Sequence, residues 1–276
     1  MYYDLDGDRL TLKDINALAA NGELPLWSLV EHAIVHSYRE WCKPGDIAID
    51  CGAADGWHTF GLCVSVKPTG HVYAFEALPE KIEFLKMRAI DWNHADQVTF
   101  HQVALGSAPG IDSFSRVRLP NGGTGYSSLR ARAPAGAEIE EISVMMGTID
   151  QFIPAQHKAS ISYIKLDIEG GEFDAFLGAD ETISLSRPLI VSEFGGHKTA
   201  STYGFAEGDF FEFFEQKDYS LFDFFAQAYT RQTFNEEGVL PQIIAIPNEK
   251  IVTGIHHKVA RFMLGKLRQT EGVVRS

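Results

Sequence analysis

Cysteine is scarce in this chain of 276 residues: Cys42, Cys51 and Cys63 are the whole complement. The number is odd and no two stand at a C-x-x-C spacing, so neither a disulfide framework nor a thiolate metal site is expected. They read as reduced, buried thiols, because no neighbouring pattern activates one as a nucleophile. Basic charge is also short. Lys and Arg number 24 against 37 Asp and Glu, a formal net charge of −13. That balance excludes a general phosphate-backbone binder, so nucleic acid is not expected as a partner and a small molecule or glycan is. No run of about twenty apolar residues exists, so no stable membrane insertion is expected. Met1 to Leu10 is acidic and polar, which reads against a signal peptide and toward a cytoplasmic protein. The spacing G-x-G-x-x-G of dinucleotide binders is missing as well. Oligomeric state leaves no mark in the sequence.

What is present is alternation. Short apolar runs at 47–50, 71–75, 98–105, 161–166, 189–192, 219–225 and 242–246 read as strands, with helical spacing between most of them (59–66, 79–93, 173–185, 209–217). Within 79–93, Ile82, Leu85, Met87 and Ile90 are expected to face the core at least partly. Strand–helix alternation of this kind implies an α/β fold, a doubly wound and mostly parallel sheet with helices on both faces. The stretch 107–147 breaks the rhythm with Gly, Ser, Arg and Pro and then a strand at 139–145; it reads as an inserted hairpin. Its Arg116, Arg118, Arg130 and Arg132 would meet an anionic substrate or simply be solvated. Before the alternation stand helices at 12–20 and 26–42, an N-terminal helical cap (1–42) on a main domain (43–250). A basic, helix-compatible tail (251–276) follows. The phenylalanines between 205 and 225 repeat as in a helix followed by a strand, which makes most of them core.

The chain is organised around Ile47-Ala-Ile-Asp-Cys-Gly-Ala-Ala-Asp-Gly-Trp-His58. A buried strand ends at Asp50, and Gly52 and Gly56 permit a tight turn and a close approach that a Cβ would prevent. The helix that follows would turn its first N–H groups toward a ligand. The second strand ends in Glu76, the position where a doubly wound sheet grips a ribose diol. Asp50 and Asp55 in the loop would repel a pyrophosphate. They suit a cationic or zwitterionic tail such as the amino-acid end of S-adenosylmethionine, and so favour a methyltransferase over the alternative, an NAD-linked oxidoreductase. A non-catalytic cofactor-binding protein with the same fold is the further alternative. Asp50, Glu76, Asp167 and Glu193 all end predicted strands and should share one rim.

His197, just past the fifth strand, is the candidate base, since imidazole titrates near neutrality. Asp167, Glu193 and His197 together would alternatively hold a divalent metal such as magnesium or manganese. The plainer reading has Glu169 and Glu172 capping the next helix and Glu193 paired with a cation. Lys165, directed by strand alternation opposite to the neighbours of Asp167, is expected to serve a structural ion pair.

Several stretches together resemble the FkbM-type S-adenosylmethionine-dependent methyltransferases. These are Ile49-Asp-Cys-Gly-Ala-Ala-Asp-Gly-Trp-His-Thr59, Val72-Tyr-Ala-Phe-Glu-Ala-Leu-Pro79, Val103-Ala-Leu-Gly106, Thr148-Ile-Asp-Gln-Phe152 and, most specifically, Ile164-Lys-Leu-Asp-Ile-Glu-Gly-Gly-Glu172. The similarity runs over roughly 45–247. The resemblance implies a seven-stranded, Rossmann-like class I methyltransferase sheet and methyl transfer to a hydroxyl, commonly of a sugar, glycoside or related natural product. It implies that Asp50, Gly52, Ala53 and Gly56 line the methionine portion, with Asp55 in the same loop, and that Glu76 holds the ribose. Val103 and Ala104 would flank the adenine, the Ser127-Ser128-Leu129 element of the insertion would fold back and bring Ser128 toward the cofactor, and Asp167 would lie beneath the reactive methyl.

Overall fold

The computed structural model describes residues 3–5, 8–10, 26–120, 123, 125–130, 133–237 and 240–274. The helix expected at 12–20 lies outside these. Tyr3–Leu5 (β1) and Asp8–Leu10 (β2) form a short antiparallel hairpin.

Seven strands make the main sheet: Ile47–Cys51 (β3), His71–Glu76 (β4), Val98–Gln102 (β5), Ile161–Leu166 (β9), Leu189–Glu193 (β10), Tyr219–Asp223 (β11) and Gln242–Pro247 (β12). Their spatial order is β11-β12-β10-β9-β3-β4-β5. β12 alone runs antiparallel to its neighbours. The chain builds outward from β3 through β4 to β5 and then returns to lay β9 on the other side of β3. The reversal therefore falls between β3 and β9, and the crevice at their carboxyl ends is where such a sheet binds ligands.

Alternation along the strands sorts the core into two layers. Ala48, Val72, Ala74 and Tyr163 face one side and pack on Leu26–Trp41 (α1) and Trp57–Val66 (α2), with Pro79–Asp91 (α3) beside them. Ile49, Phe75, Ile164 and Ile190 face the other, against the helices that follow β9 and β10. Helix α1 buries Leu29, Val30, Ala33, Ile34 and Tyr38 as its spacing predicts. Helix α3 does so only in part. Ile82, Leu85 and Ala89 form its buried stripe, while Met87 and Ile90 are exposed because they lie off it.

The third strand is shorter than its apolar run. At Val103, whose N–H reaches the Glu76 carbonyl (3.0 Å), the chain leaves the main sheet. Ala104–Leu105 (β6) pairs instead with Glu138–Gly147 (β8), which is also paired antiparallel with Gly110–Arg118 (β7). The expected hairpin is thus two strands of a separate three-stranded sheet. Phe114 and Val144 seat that sheet against Ala77 and Leu78.

After β8 comes Ile149–Phe152 (α4). The single helix expected at 173–185 is two, Glu172–Leu177 (α5) and Asp180–Ser186 (α6). Asp150 causes the break: its carboxylate accepts the N–H groups of Glu181 and Thr182 (2.8 Å each), capping a new helix start. Gly196–Tyr203 (α7) and Arg231–Asn235 (α9) were not foreseen, while Glu207–Gln216 (α8) was. In the tail, Ile255–Val274 (α10) packs Val259 and Met263 into the core beside α1. Cys42, Cys51 and Cys63 are buried free thiols.

Candidate active site

The turn after β3 is shaped by the protein's own packing. Gly52 has φ +81°, and a Cβ on it would sit 1.9 Å from the backbone oxygen of Asp167. Gly56, at φ +84°, would strike the Phe60 ring at 2.4 Å. The close approach that requires glycine is therefore made to the neighbouring strand end and to α2. The N–H groups of Gly52 and Ala53 both donate to the Phe75 carbonyl (3.0 Å), so they are already engaged.

Sheet register sets Asp50 directly beside Lys165. Both are buried. The Lys165 Nζ lies 3.4 Å from Asp50 Oδ1 and 3.6 Å from Asp167 Oδ2, and it donates to the Gly52 carbonyl at 3.0 Å. Burial alone would lower the Lys165 pKa, but the two carboxylates outweigh it and hold the ammonium charged. Thr59 donates its hydroxyl to Asp50 Oδ2 at 2.6 Å. The ion pair expected of Lys165 is thus the hub that joins β3 to β9 at the switch point, and Asp50 faces this hub.

A cleft of about 480 Å³ opens over these strand ends. Gly52, Ala53, Asp55, Glu76, Val103, Ala104 and Asp167 all line it. Glu76 accepts the Ala54 N–H at Oε2 and the Leu78 N–H at Oε1 (2.9 Å each). Burial raises its pKa, although those N–H groups pull it back. Phe114 of β7 and Leu129 of the segment between β7 and β8 also line the cleft. Asp55 is turned toward Lys81, with which it forms an ion pair.

Asp50, Gly56 and Ser128 are not in the lining. Gly125, Tyr126, Ser127 and Leu129 of the same segment reach the cleft, while Ser128, bridged to Ser115, is buried beside Tyr203. The arginines of the insertion meet carboxylates: Arg116 meets Glu80 and Glu140, Arg118 meets Glu140, and Arg130 meets Asp112. Arg132 lies outside the described residues.

The expected metal set does not come together. Asp167 lines the cleft, whereas Glu193 and His197 do not. Among the described residues no group of three His, Cys, Asp or Glu side chains is disposed to hold an ion. Glu193 has a buried carboxyl whose pKa is pushed up to about 9, by burial first and then by Asp167, Glu169 and Glu172. Its polar neighbour is the Gln242 amide at 3.5 Å. Glu172 accepts the N–H groups of Ile168 and Gly170 at one oxygen, closing the loop before α5 much as a cap would. His197 is half-buried on α7.

One pair at the cleft was missed. Glu31 of α1 and His58 of α2 both line it, with Glu31 Oε2 2.6 Å from His58 Nε2. Trp57, exposed, stands beside them. The signal available was weak: Glu31 is one of several polar residues on an amphipathic helix, and His58 is an imidazole in the first turn of the next.

The family profile described as the methyltransferase FkbM domain matches residues 50–221. The chain belongs to the FkbM methyltransferase domain family. Its sheet order with one antiparallel strand is that of a class I S-adenosylmethionine-dependent methyltransferase. Among solved structures it is similar to a precorrin-6y C5,15-methyltransferase from Geobacter metallireducens, at 16% identity and TM-score 0.40 over 70% of this chain and 72% of that one. It is similar to a SAM-dependent O-methyltransferase from Thermotoga maritima, at 11% identity and TM-score 0.42 over 78% and 63%. An O-methyltransferase from Bacillus cereus in complex with SAH matches at 12% identity and TM-score 0.41 over 85% and 88%. Likenesses this remote concern the fold alone. No curated protein matches. Glu31 lies N-terminal to the part of this FkbM chain that the profile covers.

Proposed function

We propose that this FkbM-family protein transfers a methyl group from S-adenosylmethionine to a hydroxyl of a sugar, glycoside or related small molecule. The observation that carries the cofactor reading is Glu76. Its carboxylate ends β4 at the cleft, held there by backbone N–H groups at both oxygens, which is the position and the chemistry that suit a pair of ribose hydroxyls. The lining as a whole carries five carboxyl groups, Glu31, Asp55, Glu76, Asp167 and Glu169, against Lys81 and Lys165, an acidic balance that disfavours a pyrophosphate there.

When bound, S-adenosylmethionine supplies an electrophilic methyl on a sulfonium. The protein's residues then have two tasks. They must hold the acceptor oxygen in line, about 3 Å from the methyl, and give its proton somewhere to go. Asp167, kept in place by Lys165, is the acceptor-side carboxylate in this reading and takes the hydroxyl's hydrogen bond. His197, on the helix after β10, does not line the cleft, so it would act as the base only for an acceptor that extends past Asp167 toward that helix. Unchanged turnover and an unchanged pH profile in His197→Ala would remove it from the mechanism. The net negative charge of the chain supports an uncharged acceptor such as a glycoside over a polyanion.

The cofactor reading is tested by calorimetric titration with S-adenosylmethionine and, separately, with NAD, on the native protein and on Glu76→Ala. Micromolar binding of the sulfonium compound that is lost in the variant is the expected result. Binding of NAD instead would make the protein an oxidoreductase, and binding of neither would leave only the fold.

A further inference from the structure

Helix α1 places a carboxylate in the cleft that the strand ends do not account for. The Glu31 side chain is about a third exposed and His58 is nearly sealed, at 36% and 7%. Glu31 is therefore presented to the cleft from above a buried support. Its Oε2 is taken by the His58 ring. The His58 ring in turn stands edge-on to the buried Tyr38 of α1, which braces the pair against the core. Burial would raise the Glu31 pKa, but the His58 hydrogen bond and the charges of His58 and Lys165 lower it, so the group is ionised at neutral pH.

The position along the cleft narrows what this anion meets. Glu76 ends β4 and Val103 and Ala104 follow β5 on one side of β3, while Gly52 and Asp167 follow β3 and β9. Glu31 belongs to α1, which sits over β9 through the Ser37–Tyr163 hydrogen bond, and Trp57 and His58 begin α2. A ligand whose ribose sits on Glu76 and whose chain crosses Gly52 would bring its far terminus to Glu31. An ionised, half-solvated carboxylate at that point calls for a cationic hydrogen-bond donor.

We propose that Glu31 binds the α-ammonium group of the cofactor's amino-acid end, so that a helix N-terminal to the profile-matched domain completes the cofactor site. The inference rests on the S-adenosylmethionine reading given above. It predicts selectivity between two nucleosides that differ at that end. S-adenosylhomocysteine carries the ammonium, and 5′-methylthioadenosine has the same adenosine and sulfur without it.

The test is calorimetric titration of native protein and Glu31→Gln with each of the two. Gln keeps the size and an acceptor for His58. Loss of one charge-assisted hydrogen bond should weaken S-adenosylhomocysteine about tenfold or more and leave methylthioadenosine within about twofold. Unchanged binding of S-adenosylhomocysteine, or an equal fall for both nucleosides, would overturn the proposal while leaving the cofactor reading intact. Failure of the native protein to bind either nucleoside would overturn the cofactor reading and this inference with it.

Discussion

Replacing Gly52 with alanine isolates what the centre of this fold demands. Two costs are expected. The backbone there has φ +81°, a left-handed conformation that costs a residue with a Cβ about 1–2 kcal/mol. The new methyl would also stand 1.9 Å from the Asp167 oxygen, against 3.4 Å for ordinary contact. The neighbour is backbone in a buried strand end, so it yields only if β3 and β9 part. Parting them stretches the bonds from the Asp167 N–H to the Cys51 carbonyl and from Lys165 to the Gly52 carbonyl. Overpacking of this kind adds about 1–3 kcal/mol or more. Gly204→Ala is the control, because Gly204 has φ +79° and nothing within 4 Å of its would-be Cβ. That variant should carry the conformational cost alone, about 1–2 kcal/mol. Thermal unfolding followed by circular dichroism compares them. Gly52→Ala should melt on the order of 10 °C below the native protein, and Gly204→Ala by about half that or less. Equal shifts for the two variants would refute the claim that contact with Asp167 fixes glycine at this position.

Three further variants probe the buried charges. Lys165→Met leaves Asp50 buried without its counter-charge and should destabilise by about 3–5 kcal/mol in urea titration; a loss under about 1 kcal/mol would mean that the hub is not electrostatic. Thr59→Val removes the hydroxyl bonded to Asp50 and should cost about 1.5–3 kcal/mol by the same assay. Glu172 has its pKa raised by burial to about 7, although N–H groups of the loop oppose the shift. A raised carboxyl pKa means that the folded state prefers the protonated form. Its contribution is therefore fully present below the ordinary carboxyl value of 4.5 and is lost as pH rises through about 7. Glu172→Gln should accordingly flatten the stability profile between those limits, and an unaltered slope would contradict the assignment.

Much of the fold could be read from the chain because its rules are local. Two-residue alternation in Ile47–Cys51 and Ile161–Leu166 places Asp50 and Lys165 on one face of their strands, and their position at strand ends places both near the crevice. Register between strands more than a hundred residues apart is not local, so the contact of Lys165 with Asp50 had to come from the structure. Ser128 marks the same boundary. The segment around it does turn back on the cleft, but it is built of turns that put Gly125, Tyr126, Ser127 and Leu129 in the lining, and which residue of an irregular segment faces away cannot be counted from sequence.

Glu31 illustrates a different limit. Helical periodicity in Leu26–Trp41 identifies the stripe that packs on the sheet, which Leu29, Val30, Ala33, Ile34 and Tyr38 occupy as expected. Periodicity says nothing about the flank of that stripe, where Glu31 meets His58 across two helices. The glycine turn drew attention because it is a pattern, yet at Gly52 and Gly56 glycine is required by contacts within the protein. Groups free to meet a ligand, Glu31 and Glu76 among them, are single carboxylates whose roles depend on what the fold sets beside them. That is why the scaffold of such a site is easier to recognise in a sequence than its chemistry. It is also why the acceptor-side residues, Asp167 and His197, need rates and pH profiles where the fold needed only pattern.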